Sequence, residues 1–151
     1  MTLNSDDLPQ CQFISPRLIS CGQLMPNDLR RIANRGYAVV INLSDHKTLQ
    51  PDFDEKNTVE SCGMQYFHIP VVWQRPRQSD FDQFIRVMGA NRNKKVVVHC
   101  VANKRASVFL ALYRMEAEGV AYETAMKPVL HVWKPDLTWT DFILSRVHAV
   151  A

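Results

Sequence analysis

Val96-Val97-Val98-His99-Cys100-Val101-Ala102-Asn103-Lys104-Arg105-Ala106-Ser107 is the stretch of this sequence whose residue types and order could do chemistry. A β-branched run of strand character passes through a short loop straight into a segment of helical pattern. In that order the loop wraps back over the start of the helix. Its backbone N–H groups then join the orphan donors of the helix terminus on one point that suits an oxyanion. A cysteine beneath that point has its thiolate favoured by the same donors and by the positive helix end. Cys100 is therefore the candidate nucleophile, and Val101, Ala102, Asn103, Lys104, Arg105, Ala106 and Ser107 form the candidate anion cradle.

Each cradle position has a physical use. Arg105 offers a planar fork of donors that matches two oxygens of a phosphate or sulfate, and unlike lysine it stays charged. Asn103 falls where the loop turns sharply, and asparagine tolerates the left-handed backbone better than most residues. Ser107 is within reach to donate to the thiolate. His99 precedes the nucleophile on a strand, so its ring points away from Cys100 and reads as a brace for the loop rather than a proton carrier. Cys11, Cys21 and Cys62 lie at no comparable turn and read as inert thiols.

Stepping outward along the chain, Ile14 to Cys21 reads as a short strand closed by Gly22, and Pro26-Asn27-Asp28 opens a helix that Gly36 stops. Tyr37 to Leu43 is a continuous apolar run expected of a strand buried on both faces. Pro51 to Cys62 reads as a helix and Met64 to Pro70 as a strand ended by its proline. Ser79 with Asp82 three residues on suggests an N-cap, followed by the helical face Phe81, Phe84, Ile85 and Met88. After the valine strand come helices over Ala106 to Glu118, Tyr122 to Val132 and Thr138 to Val147, with Lys134-Pro135-Asp136 as the break between the last two. The implied fold class is α/β: a largely parallel sheet of four or five strands flanked by helices.

If the strands ending at Leu43, Ile69 and His99 are parallel, their C-terminal ends share one sheet edge, and the loops there frame the ligand crevice. Those loops supply the remaining candidates. Cleaving a phosphate ester through a thiol calls for an acid near the departing oxygen, and Asp45 and Asp80 are the two aspartates positioned to serve. Solvent, or a leaving group that needs no acid, stays open beside them. Asp80 also suits a helix N-terminus. Trp73 is expected to wall the pocket, with Trp133 and Trp139 packing the core. Arg75 and Arg77 read either as attractors of an anionic substrate or as solvated charges.

These residues resemble the cysteine-dependent phosphatases, whose signature is His-Cys, five residues, then arginine followed by serine or threonine. Here four residues separate Cys100 from Arg105, and Ala106 precedes Ser107. That shorter loop is similar to the one in a bacterial dual-specificity-phosphatase-like family that includes the phosphatase-like part of beta-lactamase hydrolase-like proteins. The resemblance extends to Ser15-Pro16-Arg17, Cys21-Gly22-Gln23, Val40-Ile41-Asn42-Leu43, His68-Ile69-Pro70-Val71 and Trp133-Lys134-Pro135, in that order. It implies hydrolysis of a phosphate monoester through a phosphocysteine, on a phosphorylated small molecule or protein. It also implies that the usual acid is an aspartate on the loop corresponding to residues 71–78, where this chain has none. Rhodanese-like sulfurtransferases, which carry a persulfide on a short cysteine loop, resemble the pattern too. A non-catalytic phosphate- or sulfate-binding module remains the third reading.

Composition narrows the field. At 151 residues and 46% apolar content the chain suits one domain with one core, residues 1–10 being expected to be flexible. Eighteen lysines and arginines against fifteen acids, interspersed, leave +3, so bulk charge implies neither nucleic acid nor a membrane as partner. Four cysteines without CxxC spacing and without a preceding secretory segment favour reduced thiols in the cytoplasm. His46, His68, His131 and His148 lack ligand spacing, so no metal site is expected, and the chemistry requires no cofactor.

Overall fold

The computed structural model describes residue 3, residues 7–45 and residues 51–149; His46 and residues 1, 2 and 4–6 of the N-terminal stretch lie outside them. A five-stranded sheet runs through the molecule in the order β1-β2-β5-β3-β4, with β1 Gln12–Ser15, β2 Leu18–Cys21, β3 Tyr37–Asn42, β4 Gln65–His68 and β5 Lys95–His99. β2, β5, β3 and β4 are parallel to one another, and β1 alone runs antiparallel, at the edge beside β2. Among the described residues six helices surround it: α1 Pro26–Asn34, α2 Glu55–Ser61, α3 Gln78–Ala90, α4 Lys104–Glu118, α5 Tyr122–Val132 and α6 Leu137–Ala149.

Most elements fall where the residue pattern puts them, and the departures have local causes. Ile14 to Cys21 is a hairpin and not one strand. Pro16 has no N–H to give a ladder, so the chain turns at Pro16-Arg17 and β2 returns beside β1. The second helix is shorter than the segment from Pro51 to Cys62, because it begins only where the Asp54 carboxylate accepts from the Asn57 N–H at 3.1 Å.

The cap of α3 lies two residues before the expected Ser79. Arg77 is the N-cap, and Asp80, three residues on, accepts its backbone N–H at 3.2 Å. Asp82, expected to complete that cap, instead pairs with Arg146 at 2.7 Å.

The sheet separates two packed layers. One holds Phe81, Phe84, Phe109, Trp139 and Phe142 with one buried face of β3 and β5; the other holds Ile19, Leu29, Ile32, Val40 and Val97 on the side of α1. Phe109 is the hub of the first, meeting Phe81 and Phe84 edge-on at 5.3 and 5.4 Å and stacking on Phe142 at 5.8 Å. Helix α4 runs through this layer with every residue from Arg105 to Tyr113 buried. No helix among the described residues is long and apolar enough to cross a membrane.

Candidate active site

The parallel register carries β3, β4 and β5 to a common edge, so the loops after Asn42, His68 and His99 emerge side by side. The ladder extends past the strand ends: Leu43 N–H bonds His99 O at 2.9 Å, Ile69 N–H bonds Asn42 O at 2.9 Å and Val71 N–H bonds Leu43 O at 3.0 Å. Those bonds fix the bases of three loops relative to one another, which is the condition for a site assembled from distant segments.

Between β5 and α4 the chain turns within four residues. Cys100, 1% exposed, is tied at its backbone N–H to Cys21 O, and Val101 O accepts from Gln23 N–H at 3.0 Å. Asn103 takes the left-handed conformation, φ 65°, as its residue type foretells. Its side-chain amide also spans to Gln10 O at 2.9 Å and Ser20 O at 3.3 Å, so the turn is pinned to the β1–β2 hairpin. The first bond of α4 runs from Ser107 N–H to Asn103 O at 2.9 Å. The N–H groups of Lys104, Arg105 and Ala106 therefore precede the helix ladder as orphan donors. No acidic residue stands in the first turn of this 15-residue helix, so no carboxylate there offsets its positive end.

Arg105 is buried and engaged on the side of the two neighbouring loops. Its Nη1 donates to Val71 O at 2.9 Å and lies 3.7 Å from Asp45 Oδ1, while its guanidinium carbon sits 6.0 Å from the Trp73 ring centre. Trp73 thus flanks the arginine. Lys104 places its ammonium near both Trp73 and Trp133, at 5.7 and 5.6 Å. Trp139 locks this aromatic wall by donating Nε1–H to Trp73 O at 3.0 Å.

The two candidate acids separate by position. Asp45 joins the loop arginine. Asp80 serves the start of α3, where Oδ2 takes the Arg77 backbone N–H and Oδ1 meets the Arg77 guanidinium at 3.1 Å. Ser107 does not donate to Cys100; its hydroxyl bonds Lys104 O at 2.9 Å, the usual back-bond of a serine to a preceding turn of its own helix.

His99 is fully buried and braces the loop. Nε2 faces Glu55 Oε2 at 2.5 Å and Nδ1 faces Cys100 O at 3.3 Å. Glu55, the first residue of α2, also accepts from Gln23 Nε2 at 2.9 Å, so one buried carboxylate ties β5, the segment after β2 and the loop together. Sequence reasoning does not find Glu55, since it lies 44 positions from His99. Cys21 conforms to its inert reading: burial above all, then the neighbouring Cys11 thiol, pushes its thiol well above the usual range.

No family model matches the sequence, and no curated protein matches it. Solved structures do. A DUF442 protein from Shewanella putrefaciens CN-32, described as a candidate phosphatase, is similar with a TM-score of 0.86 and 28% identity over 97% of this chain and 96% of that one. A second structure of that description from the same organism gives 0.84 and 30% over 95% and 92%. Tk-PTP shares the fold at 0.73 and 19% identity, over 94% and 96%. The chain has the α/β fold of the cysteine-based, protein-tyrosine-phosphatase-like phosphatases. Within that class it is similar in particular to the DUF442 proteins.

Proposed function

We propose that this protein is a phosphatase of the dual-specificity-like kind that hydrolyses a phosphate monoester through a phosphocysteine on Cys100. The observation that carries the reading is the loop from Cys100 to Arg105, closed by a left-handed Asn103 and opening onto a helix end free of acid. In the proposed first step the Cys100 thiolate attacks phosphorus, an S–P bond forms and the P–O bond to the leaving group breaks. The orphan amides and Arg105 take up the charge of the equatorial oxygens. Water then attacks the phosphocysteine, releasing inorganic phosphate and restoring the thiolate.

In this scheme Asp45 and the Val71 carbonyl orient Arg105, and His99 with Glu55 holds the carbonyl side of the nucleophile. Asp80 serves α3 rather than the leaving group, which leaves Asp45 or solvent to provide the proton. Substrates with a good leaving group, such as aryl phosphates, are therefore turned over best. The substrate is a phosphorylated small molecule or protein, and phosphate or sulfate is the ion the loop holds.

The mass of acid-quenched protein after incubation with an aryl phosphate, or separately with thiosulfate, tests the proposal. A phosphoryl group on the Cys100 peptide is expected. A sulfur adduct after thiosulfate would assign a sulfurtransferase, and anion binding that is lost in Arg105→Ala with neither adduct would assign a binding module.

A further inference from the structure

A groove of about 870 Å³ opens directly beside the Cys100 loop, and Ala102 and Lys104 belong to both. One wall is the β1 edge with Phe13, and the other is α5 with Lys127, His131 and Val132. The walls are joined, since Gln12 Nε2 donates to Pro128 O at 3.2 Å. The volume far exceeds what one phosphate fills and sits among those of sites for small organic ligands, about 300–1,000 Å³.

Its charge is one-sided. Among the described residues Lys104, Lys127 and His131 line it, and no acidic residue does. Lys127 and His131 are four apart on α5 and therefore share a helix face; both are exposed, and neither has an acidic partner among the described residues. Val132 and the 41%-exposed Phe13 add apolar surface to the same groove. A groove that joins the candidate anion loop at Ala102 and Lys104 to apolar surface and to Lys127 and His131 on α5 suits a ligand that carries a second anionic group besides the one at the loop.

We infer that this groove is a second-anion subsite, and that the substrate is a small phosphate ester whose apolar body ends in a further anionic group, carboxylate or phosphate, held by Lys127 and His131. The inference rests on the phosphatase reading above and names the substrate class for it.

A graded series of 4-(ω-carboxyalkyl)phenyl phosphates, each compared with its neutral methyl ester, tests it on the whole protein. At one chain length the acid is expected to have a KM about three- to tenfold below that of its ester, the scale of one or two exposed ion pairs, at similar kcat. Lys127→Ala and His131→Ala should erase that difference while leaving turnover of the esters unchanged, and added salt should shrink it.

Equal KM for acid and ester at every length overturns the subsite while the phosphatase reading stands. So does a Lys127→Ala effect of equal size on both, and so does discrimination seen only with acidic phosphopeptides. Inactivity on all the aryl phosphates overturns the phosphatase reading and the subsite with it.

Discussion

Glu55 accepts from two side chains, His99 and Gln23, and both lead to the loop: His99 adjoins Cys100, and the Gln23 backbone holds Val101. Removing the carboxylate leaves a buried imidazole and an amide without their acceptor, a loss of about 1–3 kcal/mol. Glu55→Ala should therefore lower the urea midpoint with an unchanged slope, and reduce activity. Glu55→Gln, which keeps one acceptor, should fall between. At this scale the turn that Cys100 opens, the buried arginine and the left-handed asparagine are legible because the loop is written in consecutive residues. Glu55 is not, because nothing near position 55 records its contact with position 99. Ser107 misleads for the converse reason, since its nearest acceptor is a carbonyl of its own helix.

The elements that hold the loop were readable in proportion to their punctuation. Gly36, Pro70 and Gly119 end their segments, and Tyr122–Val132 forms in the residues its pattern marks. Where two breaker signals compete, the pattern alone misplaces boundaries. Pro16 turns an apparent strand into a hairpin, and Arg77 and Asp80 outbid Ser79 and Asp82 for the start of α3. The hairpin matters to the site through Gly22, whose position brings it against the loop. A Cβ there would lie 2.8 Å from Val101 O and 2.8 Å from Gln10 Oε1. The glutamine can swing away, whereas the carbonyl is backbone and fixed by its bond from Gln23. Gly22→Ala should therefore push the loop out of shape, at a cost of about 1–3 kcal/mol. Activity should fall by more than the modest drop in melting temperature accounts for.

At the scale of the molecule, the α/β class and the shared sheet edge follow from the alternation of buried strands and helices, and the three loops meet at Arg105 as that topology requires. The pairing order β1-β2-β5-β3-β4 was not legible, because hydrophobic runs report burial and not neighbours. The fold has a pH signature of its own. Burial raises the phenols of Tyr37 and Tyr66 from about 10 to about 12, against a bond from Asn42 that eases Tyr66. Both then favour the neutral phenol in the folded state, so their stabilisation is complete below pH 10 and is lost as pH climbs through 12. Alkaline unfolding followed by far-UV dichroism should set in within that window, together with the absorbance change of tyrosine ionisation. Tyr37→Phe should move the onset to higher pH.

Phosphate release from an aryl phosphate by the wild type, Cys100→Ser and Arg105→Lys, side by side, tests the central claim most directly. The account predicts turnover by the wild type, none by Cys100→Ser, and a loss of about a hundredfold or more in Arg105→Lys, where the planar fork is gone but the charge stays. Turnover by Cys100→Ser at the wild-type rate would contradict it.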